Sequence, residues 1–79
     1  MNSTNKLIEI FISIIKIRKK SINKAEFQKT TGWDSLKNIQ LFLEIEKAFK
    51  LKINTSDWYK LTSFKKINIY IKKKLIKVL

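Results

Sequence analysis

The segment that follows Gly32 constrains the fold most, because its apolar residues repeat with the three- and four-residue spacing of an α-helix as far as Ile53. Asp34 and Ser35 are residue types preferred at helix N-caps, so we predict that the helix begins there. Its core-facing stripe consists of Leu41, Phe42, Ile45, Ala48 and Phe49. One such stripe is enough to pack a helix onto a small bundle.

A second, narrower apolar stripe of the same helix starts beside Ser35 and consists of Leu36, Ile39 and Leu43. Two interpretations are open. The stripe is a docking surface for a partner, or both stripes are buried and the helix is central to the bundle. At the helix start, Asp34 can cap the first turn while Ser35 points outward as the first helical residue.

The chain has no proline and a single glycine, which favours helices elsewhere too. Residues 7–17 fit both a strand and a helix, and we predict a helix because no second strand is available for pairing. The basic residues 18–20 would complete its last turn, where cations complement the helix dipole. Residues 21–33 would form a long loop with one turn at residues 23–28, anchored in the core by Phe27.

The last third of the chain predicts a short helix that is capped by Thr55 or Ser56 and runs through Leu61. Trp58 and Tyr59, which lie on this helix, are interpreted as packing residues.

A longer helix capped by Ser63 would follow the short one. Its predicted buried stripe is Phe64, Ile67, Tyr70, Ile71 and Leu75. Its other face would be covered by Lys65, Lys66, Lys72, Lys73, Lys74 and Lys77. We therefore predict an all-α fold, a small four-helix bundle of three main helices and one short helix with a long first loop.

The chain lacks both cysteine and histidine, which excludes disulfides, thiolate nucleophiles, histidine-based acid–base catalysis and the usual zinc sites. We therefore expect no metal site. The 79 residues predict one domain, residues 1–79. The apolar run at residues 7–17 is too short and too polar to span a membrane, and no signal-peptide cleavage site follows it. We expect a cytoplasmic protein without stable membrane insertion.

The formal net charge of +12 is typical of a chain that binds nucleic acid or an anionic membrane surface. Residues 1–30 carry a charge of +5, residues 31–59 carry zero, and residues 60–79 carry +7. The predicted helix after Ser35 therefore lies in the neutral part of the chain. Isoleucine, lysine and asparagine, whose codons are AT-rich, make up roughly half of the sequence, so genome bias is an alternative explanation of the lysines.

The segment around Ser35 also carries a family resemblance. Its residues are Asp34, Ser35 and Leu36, then Leu41, Ile45, Glu46, Phe49 and Ile53. This pattern resembles the Asp-Ser-Leu segment of acyl carrier proteins. Residues 25–27 with Gly32 resemble the end of that family's first loop, and residues 61–64 and 67–71 resemble its third and fourth helices. The resemblance covers about the whole chain, whose length is that of a free-standing carrier.

The resemblance implies that Ser35 carries 4′-phosphopantetheine, derived from coenzyme A, and that Asp34 orients the metal of the transferase or the attached arm. Acyl or related groups would travel on the arm as thioesters in fatty-acid, polyketide or related pathways. Ser35 would be a substrate and not a catalyst, so the resemblance implies that the chain is not an enzyme. The implied docking residues are Leu36, Lys37, Ile39, Leu43, Glu44 and Glu46. The implied lining of an acyl pocket is Phe42, Ile45, Phe49, Ile53, Leu61 and Ile67, although each of these is alternatively an ordinary core residue.

The resemblance also implies the partners: a phosphopantetheinyl transferase, and the acyl-transferring and synthase enzymes that the carrier serves. We expect a monomer that binds no nucleic acid; the alternative is a small basic helical module for nucleic acid or a membrane surface. The chain departs from the family at Thr31, Trp33, Lys37 and Asn54, and in its basic charge. A cation at Lys37 would repel the basic docking patch typical of the family's partners, so we expect cognate partners with a less basic or partly acidic patch.

Overall fold

Helices account for most of the chain in the computed structural model, which describes the backbone of residues 3–78 and the side chains of residues 3–75. Helix α1 spans Ser3–Ile15, a 3₁₀ helix spans Lys19–Lys24, α2 spans Ser35–Phe49, α3 spans Thr55–Trp58 and α4 spans Phe64–Val78. The described residues form no strand, only an isolated antiparallel bridge between Glu26 and Ser63. The prediction of an all-α fold is confirmed.

One apolar core is shared by α1, α2 and α4. Phe11 of α1 is fully buried and packs edge to face against Trp33 and Phe64, with ring centroids 5.1 Å away in each case. Helix α2 contributes its buried Leu41, Phe42 and Ile45, as its predicted stripe requires. Full burial of a side chain of this size stabilises the fold by about 2 kcal/mol.

Helix α1 is confirmed as a helix, but it ends earlier than the sequence suggested. Its last residue is Ile15, and Lys16 adopts a left-handed conformation with φ of 64°. The basic residues 18–20 therefore lie beyond the helix, and the prediction that they occupy its last turn is wrong. The predicted turn at residues 23–28 is also misplaced, because the chain forms the 3₁₀ helix first and anchors it with buried Ile22.

The loop that leads to α2 is tied to the start of α4 by main-chain hydrogen bonds. The Phe27 N–H donates to the Thr62 carbonyl at 2.8 Å, and the Phe64 N–H donates to the Ala25 carbonyl at 3.2 Å. The Phe27 ring is half-buried against the core, so its predicted role as the loop's anchor is confirmed. These contacts hold the middle of the loop in place between α1 and α2.

Helix α3 differs from its prediction in both its cap and its length. It begins at Thr55 without a side-chain cap bond, and it ends at Trp58 rather than at Leu61. The Trp58 ring is half-buried and lies 4.8 Å from the Phe42 ring, as expected of a packing residue. Tyr59 is 73% exposed, so its predicted packing role is wrong.

Helix α4 begins and packs as predicted. The Ser63 Oγ accepts the Lys66 N–H at 3.2 Å, which confirms the cap. Its inward face consists of buried Phe64, Ile67 and Ile71 and of half-buried Tyr70 and Leu75. Its exposed lysines are Lys65, Lys66, Lys72 and Lys73; Lys74 is half-buried, and the Lys77 side chain lies outside the described residues. None of the described helices combines the length and the apolar character that crossing a membrane requires.

Candidate functional site

Ser35 is the first residue of α2, and Asp34 directly before it caps the helix. Asp34 is extended, with φ of −99° and ψ of −174°, and its Oδ1 accepts the Lys37 N–H at 2.9 Å. Ser35 is exposed, and within the described part of the chain its hydroxyl has no hydrogen-bond partner. Because Asp34 accepts an orphan N–H of the first turn, the Ser35 hydroxyl is not needed as the cap and remains exposed to solvent.

Two contacts that the sequence analysis missed hold the approach to α2 in place. Gly32 has φ of 90°, and a Cβ on it would lie 2.7 Å from the Ile15 carbonyl oxygen, so the loop backbone touches the end of α1. Trp33 is buried against Phe11, and its indole N–H donates to the Asn38 Oδ1 at 2.9 Å. The available signal was the single glycine followed by a tryptophan. The residue two positions before the candidate serine is therefore a core anchor.

An exposed apolar strip runs along α2 from the candidate serine. It consists of Leu36, Ile39 and Leu43, which are 63%, 47% and 55% exposed. The interpretation in which both stripes of α2 are buried is therefore wrong, because only the Leu41, Phe42 and Ile45 stripe is covered by the core. Three large aliphatic side chains on one exposed helix face suit contact with a partner.

The two glutamates assigned to docking lie in different surroundings. Glu44 is exposed. Glu46 is half-buried, and its Oε2 accepts the Ile53 N–H at 2.8 Å. Glu46 therefore holds the segment after α2 against the helix. This segment begins at Lys50, the C-cap residue, which has a left-handed φ of 54°. Of the two carboxylates, Glu44 is the one that the structure leaves accessible.

The residues assigned to an acyl pocket belong to the packed core. Of the six residues assigned to the pocket, five are fully or nearly fully buried: Phe42, Ile45, Ile53, Leu61 and Ile67. Phe49 is half-buried, with the Lys6 Nζ 5.2 Å from its ring centroid. These side chains pack as ordinary core residues in this conformation, so an acyl chain could enter only if the helices moved apart.

A groove opens between the end of α1, the 3₁₀ helix and the loop before α2, with a volume of about 680 Å³. We call it the cationic groove. Its lining includes Ile14, Lys16, Ile17, Arg18, Lys24 and Lys37. Lys37, which the sequence analysis assigned to docking, is half-buried in its wall. The groove therefore reaches the first turn of α2.

Tyr70 of α4 and Asp57 of α3 form a hydrogen-bonded pair. Burial raises the pKa of Tyr70 above its ordinary value of 10.0, and the hydrogen bond that its hydroxyl donates to the Asp57 Oδ2 at 3.0 Å adds to this. A neutral phenol that donates to a carboxylate links the two helices, and its raised pKa takes it further from acid–base chemistry at neutral pH.

No protein-family model matches the chain, and no curated protein matches it. The functional interpretation of Ser35 therefore depends on the geometry of the helix start and on the resemblance of the surrounding segment.

Proposed function

We propose that this chain is an acyl carrier protein and that Ser35 is the attachment site of its 4′-phosphopantetheine arm. The observation that carries the proposal is the position of the serine: it is exposed at the tip of α2, and Asp34 rather than Ser35 supplies the cap. The order of three long helices and one short helix, with a long connection before α2, supports an acyl-carrier-like bundle.

Ser35 acts in this proposal as a substrate of modification. The chain contains no histidine, so the transferase supplies the base as well as Mg²⁺. The Ser35 Oγ forms a phosphodiester bond with the phosphopantetheine phosphorus of coenzyme A, its proton passes to the transferase, and adenosine 3′,5′-bisphosphate leaves. Because the Ser35 hydroxyl is exposed, an arm attached to it can extend into solvent. The attached arm supplies a thiol for thioesters, which a chain without cysteine lacks.

The exposed strip of Leu36, Ile39 and Leu43, with Glu44 beside it, is the proposed docking surface for the transferase and for the acyl-transferring enzymes. Aliphatic side chains at the centre of such a contact provide affinity, and charges at its edge select the partner. Asp34 keeps its cap bond and has a second carboxylate oxygen with which to orient the transferase's metal.

The core side chains around Phe42 and Ile45 are the proposed shelter for the acyl chain. They are entirely apolar, and α3, which covers Phe42 through Trp58, is only four residues long. A short helix without a side-chain cap bond is the least costly element to displace. Movement of α3 would therefore open the core beside α2.

The decisive experiment is intact-mass measurement after incubation with coenzyme A, Mg²⁺ and a broad-specificity phosphopantetheinyl transferase. The wild type should gain one phosphopantetheine, and Ser35→Ala should gain none. The matched control is Ser56→Ala, which removes another exposed hydroxyl and should be modified like the wild type. No addition to the wild type, together with none on protein from its native host, would contradict the proposal.

The lysines of α4 favour one second candidate, a basic helical module for nucleic acid or an anionic membrane surface. Lys65, Lys66, Lys72 and Lys73 are exposed, and α4 carries no acidic residue. Such a module would bind DNA or anionic vesicles with a steep dependence on salt, and Ser35→Ala would leave that binding unchanged. The same variant therefore separates the two candidates.

A further inference from the structure

The cationic groove concentrates positive charge that no ion pair among the described side chains neutralises. Four cations line it, Lys16, Arg18, Lys24 and Lys37, and no carboxylate does. The ion pair described within residues 3–75 joins Lys29 to Glu26 and involves none of the four. Like charges held around one concave surface raise its potential and attract an anionic occupant.

The floor of the groove is aliphatic. Ile14 and Ile17 line it and are half-buried, so part of each side chain stays open to an occupant. An occupant that matches both features carries carboxylates for the rim and an aliphatic side chain for the floor. Arg18 adds a planar fork of donors that suits a carboxylate.

Backbone contacts on both sides fix the walls of the groove. Lys16, which is left-handed, turns the chain after α1, so that Arg18 lies in one wall. The opposite wall is the loop at Gly32, whose backbone lies against the Ile15 carbonyl. A concave surface with fixed walls loses little conformational entropy when it binds.

The groove also adjoins the candidate serine along the chain. Gly32 and Lys37 line it, and they lie three residues before and two residues after Ser35. This end of the groove therefore lies at the start of α2, within reach of an enzyme that is docked at Ser35 and extends towards α1.

We infer that the cationic groove receives an acidic segment of the enzymes that act on Ser35, with carboxylates on Arg18 and Lys24 and an aliphatic side chain on Ile14 and Ile17. The inference rests on the proposed function and names the chemistry of its partners. It assigns partner selection to α1 and the first loop, in addition to the exposed strip of α2.

The test is a titration of the unmodified, isotopically labelled protein, followed by amide NMR. The probe is a short helical peptide that carries glutamates and leucines, and the matched probe has glutamine in place of each glutamate. The glutamate peptide should shift the amides of residues 14–24 and 30–37, and the glutamine peptide should bind much more weakly. The double variant Arg18→Glu/Lys24→Glu should raise the Kd about tenfold or more.

The matched control variant is Lys72→Glu/Lys73→Glu, which reverses the same number of exposed charges on α4. It should change the Kd less than about twofold, because screening weakens charges beyond the contact. Equal weakening by the two double variants would overturn the inference. So would shifts centred on α4, equal binding of the glutamine peptide, or the absence of binding. A single-stranded oligonucleotide that binds the groove more tightly than the peptide would overturn its assignment to a protein partner.

The two proposals fail in different ways. The titration needs no arm, so peptide binding in the groove without modification of Ser35 would count against the carrier proposal alone. Modification of Ser35 without peptide binding would count against the groove alone.

Discussion

Helices α2 and α4 both begin next to a serine, but the serine is the capping residue at only one of them. At α4, the Ser63 Oγ is the cap and accepts the Lys66 N–H at 3.2 Å. At α2, Asp34 is the cap and Ser35 comes one residue later. The residue after each serine differs as well, because Phe64 is buried whereas Leu36 is exposed.

Because of this one-residue difference, the Ser63 hydroxyl is used in the structure, whereas the Ser35 hydroxyl is available. Where the residue before a first turn supplies a side-chain acceptor, that oxygen is occupied by the cap bond. Ser63 is also held by its bridge to Glu26, so it is fixed on two sides. Ser35 has neither constraint, and it is followed by a strip that a partner can cover.

The strongest test of this comparison exchanges the two residues at the start of α2. The double variant Asp34→Ser/Ser35→Asp keeps the composition and a capping residue but moves the hydroxyl into the position that Ser63 occupies at α4. We expect complete loss of modification in the intact-mass assay, with a change in the free energy of unfolding of no more than about 1 kcal/mol. Modification of the exchanged variant at the wild-type rate would show that the one-residue difference does not matter. Ser63→Ala is the control and should be modified normally.

A substitution in the backbone turn that leads into α2, at Gly32, should have the next largest effect, in this case on stability. Gly32→Ala places a Cβ 2.7 Å from the Ile15 oxygen at a φ of 90°, so both contact and conformation oppose it. We expect a loss of about 3 kcal/mol in the free energy of unfolding, measured by urea denaturation. Thr31→Ala, at the exposed neighbouring position, should change it by less than about 0.5 kcal/mol. Similar losses in the two variants would mean that the contact with α1 does not hold the approach.

The two capping residues, Asp34 and Ser63, should contribute equally to the stability of the protein but differ in their effect on the modification of Ser35. Asp34→Ala and Ser63→Ala should each lower the free energy of unfolding by about 1 kcal/mol. Asp34→Asn keeps a capping side chain but loses the charge, so it should leave stability nearly unchanged while slowing modification of Ser35. If Asp34→Asn is modified as fast as the wild type, Asp34 serves only as a cap.

Charge near Ser35 should have a smaller effect on the modification rate. Lys37→Glu removes a cation two residues from the serine and should speed modification by a broad-specificity transferase with a basic docking patch, by about threefold at low salt. The control is Lys47→Glu, at an exposed position about 18 Å along α2 from Ser35. No gain, or a loss, for Lys37→Glu would contradict the electrostatic explanation.

The smallest expected effect is on stability and concerns the hydrogen-bonded hydroxyl of Tyr70 on α4. Tyr70→Phe removes its bond to Asp57 and should lower the free energy of unfolding by about 0.5 kcal/mol at neutral pH. Burial and that bond raise the pKa of Tyr70 in the folded state, so its contribution is complete below the unfolded value of 10.0 and is lost as the pH rises above it. The difference between wild type and variant should therefore shrink above about pH 10.

The control for Tyr70 is Tyr59→Phe. Tyr59 is exposed, and its hydroxyl has no hydrogen-bond partner within the described residues, so the variant should leave neutral-pH stability unchanged. A wild-type advantage over Tyr70→Phe that grows above pH 10 would contradict the assigned direction of the pKa.

Patterns within one helix were readable from the sequence. The start of α2, the capping by Ser63 and the buried stripe of α4 all depend on residues three or four positions apart. The availability of Ser35 followed from the same local rule, since Asp34 could take the cap.

Features that depend on distant neighbours were not readable. Helix α1 stops at Ile15 although Ile17 continues its apolar spacing, because the chain turns at Lys16. The glycine before Trp33 was the available signal of a buried anchor, but the ring that packs on it could not be read from the sequence, because Phe11 lies on a different helix. Glu46 was assigned to the surface, because its bond to Ile53 forms only when the chain folds back after α2.

The contact at Gly32 also bears on how far the composition of such a chain can drift. Lys16, Gln28 and Lys50 adopt positive φ values of 64°, 68° and 54°, where glycine is the usual choice. Each conformation costs a side-chain-bearing residue about 1 kcal/mol, and the fold tolerates all three. At Gly32 the obstacle is an oxygen atom as well as a torsion angle. Mutation towards AT-rich codons, which disfavours glycine, can therefore proceed at the other left-handed turns, while the place where the loop touches α1 retains a GC-rich codon.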